Sequence, residues 1–216
     1  LIKNISVIRG CNFNCVYCCA IKNPFYLSTG CGKCHEFIPH FHNNILNKSP
    51  PKSNDELITI GISSDISFFN KHEIEKIISY VTKWSDRNFV VISKNPEFFL
   101  KYKFPLNVII ATTIETNKGK EINFNYSNIS KAPYPEDRIV SMQKLKCSGN
   151  KLMIVIEPII IFDLIPLVNM IKSVNPFQVR IGYDKFYCNL PEPSIIETEK
   201  LIFELEKFTS VVKMHI

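Results

Sequence analysis

The residues best suited to chemistry lie near the start of the chain. In Cys11-Asn-Phe-Asn-Cys15-Val-Tyr-Cys18 the thiols are separated by three and then two residues, so one short loop can aim all of them at a single inorganic centre. Soft thiolates select iron-sulfur clusters, zinc or copper. A cluster held by three thiolates keeps one iron open to a small molecule that chelates through an amine and a carboxylate; a structural zinc loop on the same three thiols is the alternative. A second set follows in Thr29-Gly-Cys31-Gly-Lys-Cys34-His35-Glu-Phe-Ile-Pro-His40-Phe-His42. Cys31, Cys34, His40 and His42 suit the tetrahedral thiolate-plus-imidazole preference of zinc, and so short a loop lacks the core to hold itself together without a metal. Two readings compete with zinc: a second cluster recruiting Cys19, Cys147 or Cys188, and a metal-free loop whose histidines pack against the rest of the fold. Imidazoles are unusual cluster ligands, which places zinc first.

Both loops need a frame. Apolar, β-branched runs at 2–8, 57–62, 89–93, 108–114, 152–157 and 177–182 predict six strands. Helical spacing falls at 70–84, 96–101, 135–146, 164–174 and 194–208. In the first of these Ile74, Ile77, Ile78, Val81 and Trp84 share a face, and Asn70 with Glu73 has the form of a capping box. Alternating strands and helices imply parallel strands joined by right-handed crossovers and buried on both faces. A closed eightfold barrel usually needs about 250 residues, so six units predict an α/β chain folded as a partial (β/α)6 TIM-like barrel of parallel strands. Active groups then belong just past the C-terminal strand ends: Cys11 to Cys18, Ser63 to Asp65, Ser93 with Lys94, Glu115 with Asn117, Glu157, and Tyr183 to Cys188. Burying a carboxylate without a partner is costly, so Glu115 and Glu157 require a ligand or a cation such as Arg138 or Arg180.

Composition bounds the rest. A chain of 216 residues that is 45% hydrophobic can bury a full core. Without a repeat, low-complexity tract or linker it reads as one domain over 1–216, with a metal-loop insertion at about 19–50. The most apolar stretch, 152–168, is broken by Glu157, Pro158, Asp163 and Pro166, which leaves it too short and too polar to span a bilayer. No membrane partner is expected. Residues 1–10 offer no charged leader followed by a long apolar block, so a cytoplasmic location is expected. Six of the eight cysteines fall between Cys11 and Cys34 in metal-like spacings, which points to a reducing compartment rather than a disulfide framework. The net charge of +6, from 26 basic and 20 acidic side chains, is spread along the chain. It gives a mild preference for anionic partners, nucleic acid among them, against the plainer reading of a solvated lysine-rich surface.

The cysteine loop after the first strand, with Tyr17 before its last thiol, resembles the radical S-adenosylmethionine superfamily. Phe37-Ile-Pro-His40-Phe-His42, Ser93-Lys94-Asn95-Pro96, Thr113-Ile-Glu115-Thr116-Asn117, Arg138 and Glu157-Pro158 narrow the likeness to a phage-associated group within it. The chain departs from that group at Cys19, at Asn43-Asn44 and in having fewer glycines after the second strand. The resemblance implies a 4Fe-4S cluster on Cys11, Cys15 and Cys18 that passes an electron to the sulfonium of S-adenosyl-L-methionine. Methionine is then released, with a 5′-deoxyadenosyl radical that abstracts hydrogen from a substrate. An electron donor such as a flavodoxin or ferredoxin is implied as a partner. By the same resemblance Ser63, Ser64 and Asp65 meet the cofactor's amino group, Thr113, Glu115 and Asn117 its ribose, and Ile156 its adenine. Tyr17, Lys94, Arg138 and Glu157 complete the implied surroundings.

Cys188, past the sixth strand, stands where a thiol could return a hydrogen atom to a substrate radical, as in spore photoproduct lyase-like enzymes. The plainer reading is an inert packing thiol, the default also for Cys147 and Cys19. Mild positive charge and the phage-linked resemblance make a nucleic acid or nucleotide the first substrate class, with a peptide still open. The rival from a different class is a non-catalytic zinc-stabilised module in which both loops hold zinc and the basic surface contacts nucleic acid.

Overall fold

The computed structural model describes residues 3–23, 31–51 and 57–215. The 24–30 part of the expected insertion, including Thr29 and Gly30, lies outside them, as does Ile2 in the first expected strand. The chain opens with β1 (Lys3–Ile5) and β2 (Ile8–Arg9), passes the one-turn helices α1 (Cys19–Lys22) and α2 (Gly32–His35), and returns as β3 (His40–Phe41). Next come β4 (Ile58–Ile60), α3 (Lys71–Lys83), β5 (Phe89–Ile92) and β6 (Val108–Thr113). Then follow α4 (Pro135–Leu145), β7 (Leu152–Ile156), α5 (Leu164–Val174), β8 (Gln178–Ile181), α6 (Ile195–Glu206) and β9 (Ser210–Lys213). Strands β1 and β4 to β9 pair in chain order, all parallel, in one curled half-barrel sheet. The ribbon of β2 and β3 stands apart and is antiparallel.

Three features differ from the expected six-unit pattern. The sheet has seven strands among the described residues. Its last, β9, is an edge whose side chains are exposed or half-buried, so it lacks the long apolar run of a strand covered on both faces. The expected first strand is split: β1 stays in the sheet, while Ile8 and Arg9 leave it to pair with Phe41 and His40. Between β5 and β6 the expected helix is a 3-10 turn, Pro96–Lys101.

Strand alternation sorts the core into two faces. Phe89, Val91, Val108, Ile110, Leu152, Ile154, Ile156, Val179 and Ile181 join a large cluster with helix residues such as Ile74, Ile77, Met142, Leu167, Ile171 and Leu201. Each such side chain contributes about 1.5–3 kcal/mol by leaving water. The residues between them, Val90, Ile109, Ala111 and Met153, form a smaller cluster with Ile92 and Val155 on the other face. Capping fixes where helices begin. In α3, Glu73 N donates to Asn70 Oδ1 at 3.1 Å and Asn70 N to Glu73 Oε2 at 3.0 Å; Ser194 and Glu197 repeat the reciprocal pair at α6. Among the described residues no helix is long and apolar enough to cross a membrane.

Candidate metal centres and the adjoining cavity

Gly10, at φ 83°, turns the chain out of β2, and its N–H donates to Ser63 O at 3.1 Å just past β4. The Cys11–Cys18 loop therefore begins over the C-terminal end of the sheet. Further along, Val16 N donates to Ile129 O at 3.0 Å and Lys131 N to Phe13 O at 2.7 Å. Phe13 packs on Phe68, ring centres 4.7 Å apart. Cys11, Cys15 and Cys18 all line one cavity of about 260 Å³, with Ser63, Ser64, Asp65, Lys94, Thr113 and Glu157 around it and Ile62, Ile92 and Val155 beneath. That is the sheet end where βα folds of this kind carry their active groups. The thiols are free, and burial pushes those of Cys11 and Cys18 up.

Beneath the cavity lies a buried polar network. Glu115 and Arg138 have no exposed surface. Arg138 donates to Glu115 Oε2 at 2.8 Å, to Thr113 O at 2.8 Å, to Pro133 O at 2.7 Å and to Tyr126 OH at 2.5 Å. Lys94 Nζ donates to Glu115 Oε1 at 2.5 Å. The Tyr17 hydroxyl donates to the same oxygen and accepts from Lys94. Burial alone would raise the Glu115 carboxyl, but the guanidinium of Arg138 and the ammonium of Lys94 hold it far below the ordinary carboxylate range. Glu115 thus has the cation it required, and through Tyr17 it ties the cysteine loop to the end of β6. Tyr126, which completes the network, lies in a stretch without periodic pattern and carried no signal in the sequence.

Asp65 is a second node. Its Oδ1 accepts from Ser67 N at 3.0 Å and from the hydroxyls of Ser67 and Ser93, each at 2.7 Å; its Oδ2 accepts from Lys94 N at 2.7 Å. Ser64 Oγ donates to Gly61 O at 2.7 Å. Ser63 Oγ is buried in the wall of the cavity without a hydrogen-bond partner among the described residues. Glu157 faces the cavity and pairs with Lys185 at 2.8 Å, whereas Arg180 bonds Gln178 through its Nε.

Five expected site residues lie off the cavity wall. Glu115 and Arg138 are enclosed in the network described above. Ile156 belongs to the helix-facing core, and its neighbour Val155 takes the cavity side. Asn117 accepts from Asp163 N at 2.9 Å on the exposed side of the β6 loop. Cys188 packs with Tyr17, Ile129 and Ile160 in a satellite cluster, and its N–H donates to Asp184 Oδ2 at 2.5 Å. Cys19, read from the sequence as a packing thiol, does line the cavity; burial pushes its thiol up to about 11.

The second set closes on itself. Cys31, Cys34, His40 and His42 place one ligand atom each within 4.8 Å of the others and can hold a metal ion. The sulfurs are 4.0 Å apart, Cys31 Sγ and Cys34 Sγ lie 3.4 and 3.3 Å from His40 Nε2, and Cys34 Sγ lies 3.4 Å from His42 Nε2. The two Nε2 atoms are 2.8 Å apart. A tetrahedron with the usual zinc bond lengths has edges of about 3.8 Å between sulfurs and about 3.3 Å between nitrogens, so these spacings are those of a single shared ion, with the nitrogens slightly close. His40 Nδ1–H donates to Ile38 O at 2.7 Å, which fixes the tautomer that presents Nε2. Burial and the neighbouring His40 hold the His42 imidazole low, in its neutral, ligating form. Among the described residues no such tight group includes Cys11, Cys15 and Cys18. No family model matches the chain, and no curated protein matches it.

Proposed function

We propose that the chain is a radical S-adenosylmethionine enzyme. Cys11, Cys15 and Cys18 would hold a 4Fe-4S cluster, and Ser63, Ser64, Thr113 and Glu157 would face the bound cofactor. The observation that carries this reading is the convergence of three free thiols in one cavity at the sheet's C-terminal end with the hydroxyl of Ser63, buried there without a partner among the described residues. When bound and reduced, the cluster supplies the electron that splits the sulfonium of S-adenosylmethionine into methionine and a 5′-deoxyadenosyl radical. The chain's own residues do the positioning. Tyr17, clamped by Glu115 and Lys94, sets the loop, while Ile62, Ile92, Val155 and Phe37 keep the cavity walls apolar and exclude water.

In the same reading the second set holds zinc, for which its two sulfurs and two nitrogens are matched in type and spacing. A flavodoxin or ferredoxin as electron donor and a cytoplasmic setting accompany it. The charge of +6 favours an anionic substrate, and nucleic acid or a nucleotide is the first class to assay. Anaerobic purification with iron, sulfide and zinc analysis, then reduction with dithionite and a search for 5′-deoxyadenosine, tests the proposal. Wild type should produce it and Cys15→Ser should not. Zinc alone in both loops would instead favour the metal-stabilised binding module, and a fully loaded cluster that yields no 5′-deoxyadenosine would exclude the radical mechanism.

A further inference from the structure

The two metal sets share backbone. Arg9 pairs with His40 and Ile8 with Phe41 across the ribbon, and His42 N donates to Val7 O at 2.7 Å. The residue after Arg9 is Gly10, and a Cβ there would stand 2.3 Å from both the carbonyl carbon and oxygen of Ile38 and 2.5 Å from Pro39 N. The same Ile38 carbonyl orients the His40 ring. Phe37, in the left-handed region at φ 55°, lines the same cavity as Cys11. Residues 37–40 therefore touch the cavity, the root of the first cysteine loop and the second metal set at once.

Past residue 40 the chain is tied to the main core, where Phe41 packs against the large cluster and on Phe69, ring centres 6.3 Å apart, but residues 32–40 themselves are held more lightly. Helix α2 is a single turn and the ribbon has two residue pairs, so on its own it adds little to the packing of Ile8 and Phe41. Ile38, its largest aliphatic side chain, is 43% exposed.

We infer that a metal ion on Cys31, Cys34, His40 and His42 is the clamp that sets the Cys11–Cys18 loop and the Phe37 wall, so that the second set must fill before the first can be loaded. What the first loop holds rests on the function proposed above; the mechanical coupling between the loops does not. Without the clamp ion, β3 loses its anchor at both histidines, Ile38 and Pro39 no longer back Gly10, and the first loop opens to solvent. Metal stoichiometry at one site then governs occupancy of the other without any ligand in common.

Hydrogen exchange on iron-free, full-length protein, with and without zinc(II), tests the coupling. Wild type and a variant carrying Cys11→Ser, Cys15→Ser and Cys18→Ser together are compared, so that zinc on the first loop cannot account for the result. Zinc should slow exchange over residues 7–18 by about tenfold or more in both, a local opening made rarer. Amides of β6 and β7 should not change, which reports that the fold is intact. His42→Ala should abolish the protection and His42→Cys, which keeps four ligands, should restore it. Gly10→Ala should still bind zinc yet take up little iron. Zinc bound at the second set with exchange unchanged over 7–18 would overturn the inference, as would full iron uptake by His42→Ala. The two readings fail separately: zinc-dependent protection in a protein that never takes up iron removes the radical enzyme and leaves the clamp. Iron loading indifferent to the second set does the reverse.

Discussion

Glu115 sits between two cations and a phenol with none of its surface in water, and its worth depends on all three partners. Removing one member of a buried ion pair leaves the others charged and uncompensated, at a cost of about 3–5 kcal/mol. Glu115→Gln is therefore expected to lower stability by that amount in urea denaturation at neutral pH. The sign of the pH dependence follows from the direction of the shift. Arg138 and Lys94 outweigh burial and depress the folded carboxyl, so its contribution is fully present above the ordinary glutamate value of about 4.3 and drains away as pH falls below it. Stability measured between about pH 5 and pH 3 should fall less steeply in Glu115→Gln than in wild type. Tyr17→Phe keeps both cations paired and removes one hydroxyl, a loss of about 1–2 kcal/mol. Its second expected effect is faster alkylation of Cys15 and Cys18 in the iron-free protein, because the loop loses its tie to β6. Asn117→Ala, on the exposed side of the same strand end, should stay within about 0.5 kcal/mol of wild type.

At the scale of elements, legibility followed the strength of local signals. Helix α3 was readable because Asn70, Glu73 and a buried face of Ile74, Ile77 and Val81 agree. Asn70→Ala should cost about 1 kcal/mol in thermal or urea unfolding, and Asn70→Asp, which can still accept from Glu73 N, much less. The central strands were readable as apolar runs, since both of their faces are covered. What failed was whatever periodicity cannot encode. Edge strand β9 has no buried face to advertise it, and an apolar run does not say that Ile8 quits one sheet for another ribbon. The cavity side of β7 shows the same limit at single-residue resolution: the strand is where the apolar run places it, yet alternation gives the cavity to Val155 and the core to Ile156. In the candidate site the spacing of Cys31, Cys34, His40 and His42 pointed to the group that folding gathers within 4.8 Å, because ligands close in sequence need no tertiary information. The partners of Glu115 come from the loop after β2, the end of β5 and helix α4, and only folding shows that Arg138, Lys94, Tyr17 and Tyr126 meet.

At the scale of the molecule the cavity is the place where separate crossovers are joined. Its wall takes residues from the β2 turn, the ends of β4, β5, β6 and β7, and the segment past β8, so a ligand seated there bridges strands that otherwise meet only through neighbours. A molecule that binds the folded chain and not the unfolded one stabilises it by about 2.7 kcal/mol at a hundredfold excess over its Kd. For a domain of this size each kcal/mol moves the melting temperature by about 2–4 °C. Anaerobically reconstituted protein titrated with S-adenosylmethionine should therefore melt about 5–10 °C higher at that excess. Cys15→Ser, lacking one ligand of the proposed cluster, should show no shift, and Ser63→Ala a smaller one, because the orphaned hydroxyl is no longer there to be satisfied. Equal shifts in wild type and Cys15→Ser would mean that the cofactor binds without the open iron. Calorimetry on these three proteins, each loaded with zinc at the second set, separates the two outcomes without relying on turnover.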